Sequence, residues 1–196
     1  MHKANIIKEF EEAQAILHGH FILSSGLHSD TYLQCAKLFM HGQRAELLCR
    51  QLSDKILQKF KRSDFDVIIS PAMGGVIVGY EMGKQLTLPA MFCEREQGKF
   101  TLRRGFSLAA GSRVLVIEDV VTTGKSSLET FACIEELGGT VVAEACLVDR
   151  SDGNAELNVP LISLIALEVK AYHGNNLPEH LAKIPAVKLG SRFLQA

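Results

Sequence analysis

Two adjacent carboxylates, Glu118 and Asp119, stand just before a small, hydroxyl-rich segment, and this combination suits a sugar phosphate. The stretch from Val114 to Ser127 reads V-L-V-I-E-D-V-V-T-T-G-K-S-S. Its first four residues are typical of a buried strand, which we expect to end at the acid pair. The following turn opens a helix, whose N-terminal amides and dipole can hold phosphate, while carboxylates accept hydrogen bonds from ribose hydroxyls. The stretch therefore predicts a sugar-phosphate site.

Two other interpretations of this stretch are weaker. Gly124, Lys125 and Ser126 look like the end of a nucleotide-binding P-loop. That motif needs a glycine where Asp119 stands, and an aspartate would bring negative charge to a loop meant for triphosphate. The other interpretation is an ordinary strand-to-helix turn, for which two adjacent acids are a costly arrangement with no structural gain.

A second glycine turn lies earlier in the chain. Residues 66–70 are predicted to form a short buried strand, and Pro71–Gly75 a turn that opens a helix to about Leu86. Alone this is a weak signal, because α/β folds also use such turns for packing. Together with the acid pair, it predicts a second place for an anionic group.

Residues 94–107 differ in kind from the rest of the chain. They contain four cations, Arg95, Lys99, Arg103 and Arg104, together with glycines at positions 98 and 105, and they lack sustained periodicity. Two interpretations stay open: a solvated surface hairpin, or a mobile lid whose cations close over a diphosphate with the glycines as hinges.

The elements that must position these residues alternate along the chain. Helices are predicted for residues 5–18, for residues 42–60 and around Leu128–Leu137; strands are predicted for residues 21–23, with a hairpin around Tyr32, and for residues 88–92, 141–148 and 161–167. Strands that alternate with helices predict a parallel sheet covered on both faces, with ligands at the carboxyl ends of the strands. Arg150 follows one of these strands and so joins the predicted site.

Composition limits the classes of function. The chain has 196 residues, 47% hydrophobic and 22% charged, as is typical of a globular protein. Its formal net charge of −1 gives no electrostatic case for nucleic acid or an acidic membrane surface. The five cysteines are scattered without C-x-x-C spacing, which indicates reduced thiols in a cytoplasmic protein. We expect neither a signal peptide nor a membrane span.

The 114–127 stretch resembles the phosphoribosyl diphosphate (PRPP) signature of the type I phosphoribosyltransferases. Further segments resemble the orotate-specific branch of that family: F-I-L-S-S-G-L-H-S-D-T-Y-L-Q from Phe21, E-R-E-Q-G-K-F-T-L-R-R-G-F from Glu94, and L-V-D-R ending at Arg150. The resemblance covers roughly residues 5–152. It implies an α/β type I phosphoribosyltransferase fold with a mostly parallel twisted sheet flanked by helices. It also implies a single domain over residues 1–196, with a small hood over about 1–40 and a flexible lid over about 94–107.

The resemblance assigns roles by motif position. Glu118 and Asp119 would hold the ribose hydroxyls, and Thr122 and Arg150 would contact orotate. The 5-phosphate and the diphosphate would be bound by the remaining motif residues, namely Val120, Val121, Thr122, Thr123, Gly124, Lys125, Ser126, Arg95, Met73 and Gly74. The expected catalytic residues are Asp119 with the lid cations Lys99 and Arg103. Mg²⁺ would be carried mainly by PRPP, with Asp119 as the candidate protein contact.

The implied reaction transfers the phosphoribosyl group of PRPP to N1 of orotate, in a C2 homodimer whose lids reach the neighbouring sites. The sequence departs from the family pattern at Ser24 and Gly74, where many relatives carry lysine, and at Glu96, which replaces a lid lysine. No lid histidine follows, and Lys125 is unexplained. Two alternatives stay open: a phosphoribosyltransferase for another base, and a PRPP-sensing regulator that binds nucleic acid.

Overall fold

The computed structural model describes residues 3–23 and 26–189 of the chain. The chain begins with helix α1 (Lys3–Glu12), followed by the antiparallel strands β1 (Ile16–Ile22) and β2 (His28–Leu33). The predicted hairpin around Tyr32 is therefore present, but the first helix is shorter than the predicted 5–18. It stops because Gln14 adopts a left-handed conformation with φ 52, after which the chain enters β1. Ser24 lies outside the described residues.

A six-stranded sheet forms the centre of the molecule, in the order β5-β4-β3-β6-β7-β8. Its strands are β3 (Val67–Pro71), β4 (Ala90–Glu96), β5 (Lys99–Leu102), β6 (Arg113–Val121), β7 (Thr140–Asp149) and β8 (Leu161–Ala166). Every neighbouring pair is parallel except β4 with β5. The predicted mostly parallel sheet is confirmed, and its near-continuous apolar strands are those expected where both faces are buried.

Helices cover both faces of this sheet, as the alternation of strands and helices predicts. Helices α2 (Gly42–Leu57) and α3 (Gly74–Leu86) pack on one face, and α4 (Lys125–Glu136) packs on the other. Strand residues alternate between the two resulting cores: Ile68 and Leu115 join the first, whereas Ile69 and Val116 join the second. The carboxyl ends of β3, β6 and β7 consequently lie side by side, where the helices α3 and α4 begin.

Residues 94–107 form a hairpin and a following turn. Strands β4 and β5 pair antiparallel from Cys93–Leu102 to Glu96–Lys99, and Gln97 and Gly98 make the tight connection with φ values of 50 and 88. Two positive φ values in a two-residue connection are the requirement of the commonest hairpin turn, so Gly98 is explained by local geometry. The surface hairpin is the observed conformation, and closure of the segment as a lid stays a prediction.

After residue 167 the sequence predicts only an irregular stretch, and this prediction is wrong in part. A short helix α5 (Glu179–Ala182) precedes strand β9 (Val187–Lys188), which pairs in parallel with β1 to give a second sheet in the order β2-β1-β9. His20 Nδ1 lies 2.7 Å from Ile184 O, which adds a side-chain contact to the same junction. Among the helices of the described residues, none has the length and apolar character needed to cross a membrane.

Candidate active site

The strand-turn-helix stretch builds a cradle, by which we mean residues 120–126 between β6 and α4. Gly124 precedes the helix with φ 74, and a Cβ there would lie 2.9 Å from Leu157 Cδ2, so conformation and space both require glycine. No side chain caps α4, whose first backbone bond runs from Leu128 N to Gly124 O at 2.9 Å. Lys125 N donates to Thr123 Oγ1 at 3.4 Å, whereas the amides of residues 126 and 127 have no acceptor within the helix, which makes this end suitable for an anion.

The cradle presents polar groups to solvent and keeps its apolar groups inside. Thr122, Thr123, Lys125 and Ser126 are exposed, whereas Val121 is buried. A small polar cavity of about 60 Å³ follows the turn, lined by Glu118, Val120, Val121, Thr122, Thr123, Gly124, Lys125, Ser126 and Ser127. The structure thus brings residues 120–126, which the family resemblance assigns to phosphate binding, together around one cavity.

The acid pair lies within β6, which continues to Val121 rather than ending before the acids. Glu118 Oε1 accepts a hydrogen bond from Asp119 N at 3.1 Å, and Asp119 Oδ1 accepts one from Val120 N at 2.9 Å. Burial, and then the negative charge of Asp119, raise the pKa of Glu118 well above its usual range. Burial also raises the pKa of Asp119. Both carboxylates are therefore short of the positive or hydrogen-bonding groups that a ligand could supply.

The second glycine turn meets the acid pair directly. Helix α3 begins at Gly74, where a Cβ would lie 2.6 Å from Asp119 Oδ1 and 2.7 Å from Oδ2. No side chain fits there while Asp119 keeps this position. Met73, one residue earlier, is 82% exposed. The two loops predicted to bind anions are therefore in contact, at the edge that the fold predicts.

Arg150 follows β7 and lies beside the cradle, with its backbone N donating to Val121 O at 2.8 Å. Its Nε is buried and has no hydrogen-bond partner within residues 3–23 and 26–189. Burial lowers the pKa of Arg150, while Cys35 and Tyr32 from the N-terminal region act in the opposite direction. A half-buried guanidinium with an unpaired N–H next to an acid-lined site is suited to a planar ligand carrying carboxylate or carbonyl oxygens.

The cations of the hairpin are paired with acids instead of reaching the cradle. Arg95 pairs with Glu129, Lys99 with Glu136 at 2.6 Å, Arg103 with Glu96 at 3.5 Å, and Arg104 with Glu94. Glu129 also lies 4.0 Å from Lys125 of the cradle, so one carboxylate contacts both regions. In this conformation Lys99 and Arg103 are not brought to the acid pair, and their predicted catalytic role stays a prediction.

Sequence reasoning missed several polar residues around the site. Glu144 is buried in the middle of β7 and bonds to Ser127, and α4 carries the acids that hold the hairpin, Glu129 and Glu136. One signal was available for Glu144, since it is a lone acid within the apolar run V-V-A-E-A-C-L-V. The acids on α4 had no such signal, because charged residues on the outer face of a helix are ordinary.

A wider open groove of about 530 Å³ lies at the opposite end of α3 and is lined by Tyr80, Gly83, Lys84, Thr87, Leu88 and Ala90. It contains neither an acid nor a free helix N-terminus. Lys84, the cation lining it, is within 3.5 Å of Glu46 and 3.4 Å of Glu81. The groove therefore lacks the convergent polar groups that the cradle has.

Comparison with known proteins agrees with this geometry. A family model described as phosphoribosyl transferase domain matches residues 38–183, so the fold and the cradle define a phosphoribosyltransferase. Orotate phosphoribosyltransferase from Parvibaculum lavamentivorans is 52% identical over 99% of this chain and 100% of its own length. The enzyme of the same name from Rhizorhabdus wittichii is 55% identical over 95% of each chain. The chain belongs to the orotate phosphoribosyltransferase family.

A solved structure supports the fold at lower identity. The crystal structure of orotate phosphoribosyltransferase from Aeropyrum pernix matches with a TM-score of 0.68 and 25% identity, covering 82% of this chain and 93% of that chain. The type I phosphoribosyltransferase fold expected from the sequence is therefore confirmed.

Proposed function

We propose that this protein transfers the 5-phosphoribosyl group from PRPP to N1 of orotate, giving orotidine 5′-phosphate and diphosphate in pyrimidine (UMP) biosynthesis. The observation that carries the proposal is the contact between the cradle, the acid pair and Arg150, in a chain 52% identical to an orotate phosphoribosyltransferase. The whole chain would act as one domain, since β9 near its C-terminal end pairs with β1 near its beginning.

The PRPP half of the site follows from the cradle and the acids. The free amides at the start of α4 and the exposed hydroxyls of Thr122, Thr123 and Ser126 would hold the 5-phosphate. Glu118 and Asp119 would accept hydrogen bonds from the ribose hydroxyls, which adds to the single backbone hydrogen bond that each carboxylate accepts in the structure. The turn at Met73 and Gly74 faces Asp119 and would lie against the diphosphate.

The orotate half is proposed beside Arg150. Its unpaired buried Nε and its fork of N–H donors suit the carboxylate or the ring carbonyls of orotate. Thr122 follows Val121, whose carbonyl binds Arg150 N, so the cradle and the base site adjoin. Cys35 and Tyr32 of the N-terminal region act on the pKa of Arg150, which supports a proposed hood over the base site.

These residues would act mainly by positioning the two substrates and by stabilising the charge that develops on the ribose. A bond forms between N1 of orotate and C1 of the ribose while the bond from C1 to diphosphate breaks, and positive charge develops on the ribose. Orotate N1 can be an anion, so the protein needs little base catalysis. The carboxylates of buried Glu118 and half-buried Asp119 line the site, where they would stabilise a positively charged ribose.

Mg²⁺ fits this site as an ion that arrives with PRPP. Asp119 offers hard oxygen ligands beside the proposed diphosphate turn, which is the chemistry that Mg²⁺ prefers. Residues 3–23 and 26–189 contain no group of three or more His, Cys, Asp or Glu side chains that could hold a metal by themselves. Bound Mg²⁺ would neutralise charge on the leaving diphosphate, with Asp119 as its protein contact.

We further propose a cytoplasmic homodimer. The described cysteines are all free and buried, as suits a reducing compartment. Helix α3 and the residue before it present an exposed apolar surface beside Gly74, formed by Met73, Ile77 and Tyr80, which are 82%, 50% and 71% exposed. An exposed apolar face of this kind is typical of a protein interface. Its position next to the diphosphate turn would let the hairpin of one subunit reach the site of the other.

Orotate absorbance during incubation with PRPP and Mg²⁺ tests the proposed reaction. We expect the wild type to consume orotate, and Asp119→Asn and Arg150→Ala to abolish consumption. Asp54→Asn and Arg50→Ala, both exposed on α2, are the matched controls and should behave as wild type. If PRPP binds while orotate is untouched, the base assignment is wrong and either a different base or a sensor role replaces it. RNA or DNA binding without turnover would favour the sensor.

A further inference from the structure

Glu144 is a buried carboxylate, and only one of its two oxygens has a hydrogen-bond partner among the described residues. It lies within β7, is 0% exposed, and faces α4. Its Oε1 accepts a hydrogen bond from Ser127 Oγ at 2.8 Å, whereas its Oε2 is buried with no hydrogen-bond partner in the described part of the chain. An unpaired buried polar atom costs free energy, and an aliphatic side chain would suit this strand better. Stability therefore does not account for a carboxylate at this position, which points to a role in the site.

Its partner Ser127 connects it to the phosphate cradle. Ser127 is the third residue of α4, is 2% exposed, and belongs to the turn whose free amides face the cradle cavity. In the same turn Thr130 Oγ1 donates to Ser126 O at 2.8 Å. The Thr130 bond acts within the helix, whereas the Ser127 bond ties the helix to the sheet. It therefore fixes where the first turn of α4 stands relative to β7.

Strand β7 ends at Asp149 and is followed directly by Arg150, so this one strand would position both halves of the site. Arg150 N is held by Val121 O at one end of the cradle, and Ser127 is held by Glu144 at the other. Burial raises the pKa of Glu144 to about 7, so its charge, which would repel a phosphate, is only partly present at neutral pH. Its negative charge in turn raises the pKa of Glu118 on β6 and of Cys146 on β7.

We propose that Glu144 is a positioning residue which, through its hydrogen bond with Ser127, holds the first turn of α4 ready for the 5-phosphate of PRPP. The ligand class is a phosphate monoester on a sugar, and the inference rests on the proposed function. Because Glu144 acts on the cradle and touches neither orotate nor the reacting atoms, its loss should weaken PRPP binding and leave kcat nearly unchanged.

The test measures PRPP affinity by isothermal titration calorimetry with Mg²⁺ present, together with KM for each substrate and kcat. The variants are Glu144→Leu, Glu144→Gln, Ser127→Ala and the double variant Glu144→Leu/Ser127→Ala. Val141→Ala, a buried truncation at the other end of the β7–α4 contact, is the control for general loosening. Ser127→Ala removes a single oxygen atom, so it carries the test if Glu144→Leu fails to fold.

We expect Glu144→Leu and Ser127→Ala each to raise the Kd and KM for PRPP about tenfold, with kcat and the orotate KM within about twofold of wild type. The double variant should be no worse than either single one, because both remove the same bond. Glu144→Gln keeps an acceptor for Ser127 and should restore near wild-type affinity.

Three results would overturn the proposal. They are unchanged PRPP affinity in Glu144→Leu and Ser127→Ala, failure of Glu144→Gln to restore affinity, and a pattern in which kcat falls while both KM values rise, as expected for Val141→Ala. If the wild type binds PRPP without consuming orotate, the proposed reaction fails while the calorimetric test of Glu144 still stands.

Discussion

Asp119 and Gly74 illustrate how closely residues of the site depend on one another. The cradle could be predicted from the sequence because its residues are continuous, so local spacing alone brings them together. The contact between Asp119 and Gly74 could not, because it depends on how α3 approaches β6 after folding. The close approach of Asp119 accounts for glycine at position 74, whereas the one contact that accounts for Glu96 is its ion pair with Arg103.

Gly74→Ala tests this contact. The new Cβ would lie 2.6 Å from Asp119 Oδ1, so the carboxylate must move away from its position. Because transition-state stabilisation depends on that position, we expect kcat/KM to fall about tenfold to a hundredfold. Gly42→Ala is the matched control, since an added Cβ at the start of α2 meets nothing within 4 Å. Steady-state kinetics with both substrates would measure the effect, and a wild-type kcat/KM in Gly74→Ala would contradict it.

Glu144 makes stability depend on pH in a defined direction. Burial raises its pKa from 4.5 to about 7 on folding, against the smaller lowering effect of the Ser127 bond. Between these values the folded protein binds more protons than the unfolded chain, so stability falls as pH rises from about 4.5 to about 7. The loss from this one group is about 3 kcal/mol at most. Asp66, whose bond with Arg113 lowers its pKa to about 2, acts outside this window.

Urea unfolding at pH 5 and at pH 8 would measure this dependence in the wild type and in Glu144→Gln. The wild type should lose more unfolding free energy than the variant between the two pH values, because the amide has no proton to release. Equal losses in both proteins would show that Glu144 keeps an ordinary pKa.

At the scale of elements, strand ends were the least predictable feature. Strand β6 continues through the acid pair because β7 pairs with it as far as Val121, and a pairing partner is invisible in a local pattern. Helix α1 is shorter than predicted for a related reason, since strand pairing places Leu17 of β1 opposite Tyr32 of β2. The type of each element in the central sheet was predictable from its periodicity, whereas its length was set by tertiary neighbours.

The role of the hairpin of residues 94–107 was the hardest to predict from the sequence, because cations on a solvated surface and cations in a lid give the same composition. Its observed ion pairs do not prevent a lid role. The pairs of Lys99 with Glu136 and of Arg103 with Glu96 are half exposed, and such surface pairs contribute about 0–1 kcal/mol. A diphosphate carries more charge than one carboxylate and could draw these cations away.

Alanine at Lys99 and at Arg103 tests that role. We expect each change to lower kcat/KM at least tenfold, because each removes a cation from the leaving diphosphate. Lys183→Ala breaks an exposed pair with Glu179 on α5 and is the matched control. Steady-state kinetics that remain wild type in both hairpin variants would refute the lid assignment and leave the hairpin as a solvated surface element.

At the scale of the whole molecule, the C-terminal stretch contributes more than its composition suggested. Its strand β9 pairs with β1 over only two residue pairs, Phe21 with Val187 and Ile22 with Lys188. Such a short parallel pairing between distant segments leaves no periodic signal in the sequence. The second sheet that it completes carries Tyr32, one of the residues that act to raise the pKa of Arg150.

The proposed dimer makes a sharper prediction about the whole molecule, namely that one site uses residues from two subunits. Asp119→Asn disables the acid pair and Lys99→Ala disables the hairpin. In a mixed dimer with a shared hairpin, one site receives both defects and the other receives none. Random pairing should therefore restore about a quarter of wild-type activity from two inactive proteins. The measurement is specific activity after mixing, unfolding and refolding the two variants together.

Two controls make that result interpretable. Ile77→Glu places a charge on the exposed apolar face of α3 and should give a monomer by light scattering, whereas Leu137→Glu, 43% exposed beyond the end of α4, should leave the dimer intact. Mixing should then restore no activity when both partners carry Ile77→Glu, because a single subunit cannot borrow a hairpin. If the mixture of Asp119→Asn and Lys99→Ala stays inactive although the proteins form dimers, each subunit completes its own site. In that case Lys99 must reach Asp119 within one chain, by breaking its pair with Glu136 and moving along α4 toward the cradle.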